Sequence, residues 1–225
     1  MKRILTENFK WIYGIIAIAE LVFGLLPPQY GYLRYFTKPA LVLSLMLYFW
    51  QFRKNTPRSS NIFLIALFFA WLGDILLMLP DAFELGLASF LVMQVLYAWV
   101  FWHDCPLPFQ GFAFRQAWII VVVVLCQCLV LYLIIPQLNQ LFLPVLIYSI
   151  AITTMVSTAC NRGGQVLPKS FVWVALGAGL FMLSDGLIAF DKFGYPFPYN
   201  GFWVMLTYCV AQYLIVEGRL LQHKK

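Results

Sequence analysis

Two aspartates stand where their neighbours are almost wholly apolar. Asp74 lies in "FFAWLGDILLMLPD", residues 68–81, and Asp185 in "FMLSDGLIAFDKF", residues 181–193. A carboxyl in a long apolar helix costs about 2.5–3.5 kcal/mol to insert, so such a group usually faces a bundle interior or a wet cavity. Two carboxyls facing one cavity would share a proton, which places an acid and a base in one pocket. Other polar groups fall at related heights. Glu20 lies near the outer end of the first apolar run, and Lys38 opens the second. Asp81 and Lys192 each sit seven residues beyond one of the aspartates, on the same helix face but at the lip. Tyr208 and Gln212 are one helical turn apart and point together into the bundle. Plainer readings stand beside these. Lysines at helix ends snorkel, and buried Tyr and Gln often serve as interhelical glue.

The elements that must position these groups follow from composition. The chain has 225 residues, 63% hydrophobic and only 11% charged, with a mean hydropathy of +0.83. Soluble domains run nearer half apolar and a quarter charged. So much apolar surface must face lipid. The expected fold is all-α: a polytopic membrane protein, one domain over 1–225, with spans near 10–27, 38–52, 60–80, 85–103, 115–135, 139–159, 168–190 and 199–217. Pro39 suits the first turn of the second span. The third and seventh spans carry Asp74 and Asp185 at matching depth, roughly 8–9 Å below the outer boundary. That match implies two parallel four-helix halves related by an axis along the membrane normal.

The net charge of +6 is an orientation signal. Twelve of the Lys and Arg residues fall on the side of the termini, among them Lys2, Arg3, Lys54, Arg58, Arg162, Arg219, Lys224 and Lys225. Three fall opposite: Arg34, Lys38 and Lys192. The positive-inside rule places both termini in the cytoplasm, with a bacterial cytoplasmic membrane as the expected setting. No basic patch interleaved with aromatics marks a nucleic-acid partner. The five cysteines contain no CxxC, and His103 and His223 sit at no ligand spacing, so no metal site is expected. The first apolar run continues past its "AIA" at 17–19, unlike a cleaved signal peptide. Ser184 beside Asp185 has no intramembrane histidine to serve it, which argues against a Ser-His-Asp hydrolase. Gly73, Gly177, Gly179 and Gly186 read as close-packing positions, not as a phosphate loop. Trp11, Trp50, Trp102, Trp118 and Tyr199 read as an interfacial belt.

Four stretches in order, "TKPALVLSL" at 37–45, "WLGDILLMLPD" at 71–81, "LGAGLFMLSDGLIAFDKF" at 176–193 and "LTYCVAQYLI" at 206–215, resemble the YhhN/lysoplasmalogenase family of eight-helix membrane proteins. The resemblance implies a hydrolase that cleaves the vinyl-ether bond of 1-alkenyl lysophospholipids carrying choline or ethanolamine. The products would be a fatty aldehyde and a glycerophospho-alcohol. It implies no metal or organic cofactor, with water and a lysophospholipid from the bilayer as the reactants. Carried over residue by residue, it favours Lys38, Asp74, Asp185, Asp191, Lys192, Tyr208 and Gln212. Vinyl-ether hydrolysis begins with protonation of the β-carbon and ends with water capturing an oxocarbenium ion. Asp74 and Asp185 are the expected acid and base, in analogy with the carboxyl pair of a glycosidase. Lys38, with Lys192 or Arg34, would hold the phosphate, and Glu20 or outer-face aromatics would meet the choline or ethanolamine cation. The rival expectation is a transporter or lipid-binding protein that uses the same acids as a proton relay.

Overall fold

The computed structural model describes residues 2–53 and 58–222. The side chains of 2–7, 28 and 58 fall outside that description, as do residues 54–57 and 223–225. Of the charges counted above, Lys2, Arg3, Lys54, Arg58, Lys224 and Lys225 therefore lie outside it, and so does His223.

Among the described residues eight long helices form. They are α1 (Lys2–Leu25), α2 (Arg34–Phe52), α3 (Arg58–Leu76), α4 (Phe83–His103), α6 (Trp118–Leu138), α7 (Phe142–Asn161), α8 (Pro168–Lys192) and α9 (Asn200–Leu221); α5 (Phe112–Arg115) is a single turn between α4 and α6. Among the described residues, six segments are long and apolar enough to cross a bilayer, and one of them, 118–161, covers both α6 and α7. The helix α2 falls short of that measure because it opens on Arg34, Thr37 and Lys38. The chain is an all-α, multi-pass integral membrane protein.

Two expectations are corrected. The helix α2 begins four residues early, because the 3-10 turn Pro28–Leu33 runs straight into it and the Arg34 N–H bonds to Gly31 and Tyr32. Pro39 thus lies inside the helix and not in its first turn. The glycines also divide. A Cβ on Gly177 would lie 2.8 Å from the Ala211 carbonyl oxygen, and one on Gly73 would lie 2.8 Å from the Phe90 ring. These two hold α8 on α9 and α3 on α4. Gly179 has no neighbour within 4 Å, and Gly186 meets only Val130, at 3.8 Å. Neither is a close-packing position.

Consecutive helices pack in pairs through each half, and α4 rests on α7 as α9 rests on α2. The same order of neighbours thus recurs in the first four and the last four long helices. It departs where α9 also meets α1 and where α6 touches α8. The core is aromatic, with Phe63, Tyr97 and Phe101 stacked in a run and Phe49 tilted against Phe63. In contrast α6 is weakly anchored: only Val123, Ile134 and Leu138 along it are buried.

At the end of the bundle that holds both termini, an ion network closes the core. The Asp104 carboxylate lies 2.9 Å from Arg219 and 3.2 Å from Arg162. All three side chains are buried. Arg162 also donates to Ser170 and to Gln222, and Arg219 donates to Gln222 and Ser59. Burial lowers the Arg162 guanidinium to about 10 while Asp104 pulls it back up, so it stays charged at neutral pH. Arg162 and Arg219, which the sequence offers as loop charges, are interior residues that bind the ends of α4, α7 and α9 together.

Candidate functional site

The structure arranges the polar residues of the opposite half into two sets. Asp185, half-buried on α8, accepts from the Tyr148 hydroxyl on α7 and from the Gln94 amide on α4, the latter at 3.1 Å. Both donors reach the same oxygen, Oδ2. Among the described residues no donor reaches Oδ1. Asp185 also lines a cavity of about 60 Å³, walled mainly by apolar side chains of α4, α6, α7 and α8. That is room for a few waters or for a slim segment of a ligand. The remaining polar side chains on its wall are Tyr148, Gln127 and Ser149. Phe83 and Phe193 line the same cavity, and the exposed Lys192 ammonium sits 4.6 Å above the Phe83 ring. The lysine therefore stands at the cavity mouth, seven residues or about 10 Å along the helix axis from Asp185.

Asp74 belongs to the other set. It is 1% exposed and accepts from the Tyr208 hydroxyl of α9 at 2.7 Å. The charges acting on it are Lys38 and Glu20. It does not line the cavity that Asp185 faces. Two rings stand between the sets: Phe90, which forms part of the cavity wall, and Phe181, centred 6.1 and 5.7 Å from the Tyr208 ring. The expectation of one shared chamber is thus corrected. Helix α3 presents Asp74 toward α9, whereas α8 presents Asp185 toward α4 and α7. Each carboxyl reaches across the boundary between halves to the fourth helix of the other half.

The remaining residues divide accordingly. Glu20 is fully buried. It is spent on Arg34 at 2.8 Å and on the Thr37 hydroxyl at 2.5 Å. Buried and paired in this way, it is closed to a headgroup cation, whereas Arg34, its side chain 32% exposed, uses only Nε and Nη2 on Glu20. Lys38 is half-buried near Asp74. Gln212 stands beside Tyr208 and accepts from the Tyr97 hydroxyl at 3.1 Å, which makes it an interhelical link. Asp191 is exposed, next to Lys192 at the mouth. Ser184 donates to the Val204 carbonyl and is occupied by the fold.

Sequence reasoning overlooked Gln94, Tyr148, Gln127 and Ser149. The signal for Gln127 was present, since it interrupts "VVVVLCQCLVLYL", part of the most apolar segment of the chain. It is the rule that exposed the aspartates, applied to an uncharged residue.

Comparison with known proteins agrees with the architecture. The YhhN family profile matches residues 33–219, which take in every long helix except α1. The chain belongs to the YhhN family. The YhhN chain is similar to lysoplasmalogenase TMEM86B of Rattus norvegicus, 30% identical over 216 residues that cover 94% of this chain and 84% of the relative. It is also similar to lysoplasmalogenase TMEM86B of Homo sapiens, 34% identical over 149 residues, covering 66% and 58%. Lysoplasmalogenase TMEM86A of Bos taurus is 33% identical over 174 residues, covering 72% and 68%. No solved structure matches this YhhN chain.

Proposed function

We propose that this protein is a lysoplasmalogenase: a membrane hydrolase that releases a fatty aldehyde from 1-alkenyl lysophospholipids, with Asp185 as its reacting carboxyl. The observation that carries this reading is the division of labour between the two oxygens of Asp185. Oδ2 takes both hydrogen bonds, which leaves Oδ1 of this cavity-lining residue without a donor among the described residues and, in this reading, open to a ligand. A proton on Oδ1 passes to the β-carbon of the vinyl ether. The oxocarbenium ion that results has the new carboxylate beside it. Water adds to the cation and gives its proton back to Oδ1, and the hemiacetal separates into aldehyde and glycerol hydroxyl. One carboxyl thus serves first as acid and then as base. The apolar walls exclude bulk water and strengthen the stabilisation of the cation by the carboxylate.

In this reading the vinyl-ether end of the chain enters the cavity, its tail runs out between the helices, and the phosphate reaches out to Lys192. Asp74 is a positioning residue. It holds Tyr208, whose ring backs the Phe90 wall. The charge bias of the sequence supports cytoplasmic termini, with the cavity on the far side.

One observation favours a second reading, in which the reaction takes place at Asp74: Lys38 adjoins that carboxyl and would suit a phosphate. The deciding experiment incubates detergent-solubilised protein with alkenyl lysolipid. Aldehyde release without any membrane gradient is expected. A protein that moves protons or lipid across vesicles but releases no aldehyde is a transporter instead. The comparison of Asp74→Asn with Asp185→Asn separates the two enzymatic readings.

A further inference from the structure

Gln127 and Ser149 have no part in the chemistry above, yet both face the same cavity as Asp185. Gln127 on α6 donates from Nε2 to the Ser149 hydroxyl on α7 at 2.9 Å. That leaves the amide oxygen of Gln127 as an acceptor and the hydroxyl proton of Ser149 as a donor. A glutamine in the most apolar segment of the chain is costly unless it is used. A neighbouring donor and acceptor are what a single ligand hydroxyl needs, since a hydroxyl both gives and accepts a hydrogen bond.

We propose that Gln127 and Ser149 form the subsite that reads the free hydroxyl on the central glycerol carbon of the substrate, and so select lysolipids over lipids substituted there. This inference rests on the lysoplasmalogenase reading. The hydroxyl lies close along the glycerol backbone to the ether oxygen, so a substrate with its vinyl ether at Asp185 carries it past neighbouring positions of the same cavity. Tyr148 and Ser149 are consecutive on α7, which ties the two functions to one helix. A lipid with a second acyl chain loses twice. It has no proton for the Gln127 oxygen, and about 60 Å³ leaves no room for a second chain beside the vinyl-ether end of the first.

The test compares an alkenyl lysophosphatidylcholine with its analogue lacking the central hydroxyl, on wild type, Gln127→Leu and Ser149→Ala. Both kcat/KM for aldehyde release and equilibrium binding of the matching 1-alkyl ethers, which cannot be hydrolysed, are measured. The wild type should prefer the hydroxyl-bearing lipid by roughly 10–100-fold, the range for leaving a buried polar group unpaired. Each substitution should erase most of that preference, lowering kcat/KM for the hydroxyl-bearing lipid far more than for the deoxy analogue. Interhelical glue would move both lipids together and lower the melting temperature, and that result overturns the proposal. An equal response of wild type to the two lipids overturns it as well. If the variants fail to fold, the wild-type preference alone decides. Preferential binding by wild type that the variants lose, without aldehyde from any form, would sink the lysoplasmalogenase reading and leave the hydroxyl subsite standing.

Discussion

Replacing Asp185 by Asn removes the titratable proton of the side chain and little else. The amide oxygen of asparagine can take the place of Oδ2 and accept from Tyr148 and Gln94 as before, while its NH2 group takes the place of Oδ1. Shape and hydrogen bonds are conserved, so the variant should insert and purify as wild type does. An amide cannot protonate an alkene carbon or take a proton from water. Loss of a positioned acid–base group typically costs about 10²–10⁴ in rate, or roughly 3–5.5 kcal/mol of transition-state stabilisation. The fall should appear in kcat. KM should change little, because Lys192 and the apolar walls are untouched. The assay is aldehyde release by purified protein in detergent, with thermal unfolding of the same sample as control. A variant within tenfold of wild-type kcat would refute the assignment of Asp185 as the proton donor.

Asp74→Asn should be milder. Asparagine still accepts from Tyr208, so the loss is that of a charge-assisted hydrogen bond, about 1 kcal/mol, with activity within about tenfold of wild type; a collapse of kcat in a well-folded protein would move the chemistry to the Asp74–Lys38 set. Lys192→Ala, at the exposed mouth, should raise KM roughly two- to fivefold and leave kcat alone, as befits a surface ion pair. Added salt should weaken the wild type in the same direction, and a KM indifferent to both would remove Lys192 from phosphate binding. Asp104→Ala leaves two buried guanidiniums without their carboxylate and should cost about 3–5 kcal/mol of stability. That loss is measurable as a lowered unfolding midpoint in detergent, and a midpoint equal to wild type would show the network to be dispensable.

The number of helices and their approximate bounds were legible because a span declares itself by length and apolar composition alone. Asp74 and Asp185 were legible for the same reason, as exceptions to that composition. Partnership was not. Asp74 finds Tyr208 134 positions away, and Asp185 finds Gln94 91 positions away. Such pairings are decided by how the helices rotate and neighbour one another, which periodicity barely encodes in segments that are apolar on every side. Equal depth therefore suggested convergence, where rotation about the helix axes sends the two carboxyls to different seams. The arginines failed for a related reason. Charge counting treats every basic residue near a helix end as solvated, and Arg162 and Arg219 are reclaimed by an aspartate beyond the end of α4 that a count of basic residues passes over. Gly179 and Gly186 show that a small residue in a membrane helix is as able to leave room as to permit contact.

The sparse anchoring of α6 bears on how this enzyme must be handled. One wall of the cavity beside Asp185 belongs to a helix gripped by its neighbours at only three buried positions, so surrounding acyl chains supply most of its lateral support. Bilayer thickness and tension then act on the chamber through that wall, and turnover should track the host lipid more closely than the melting temperature does.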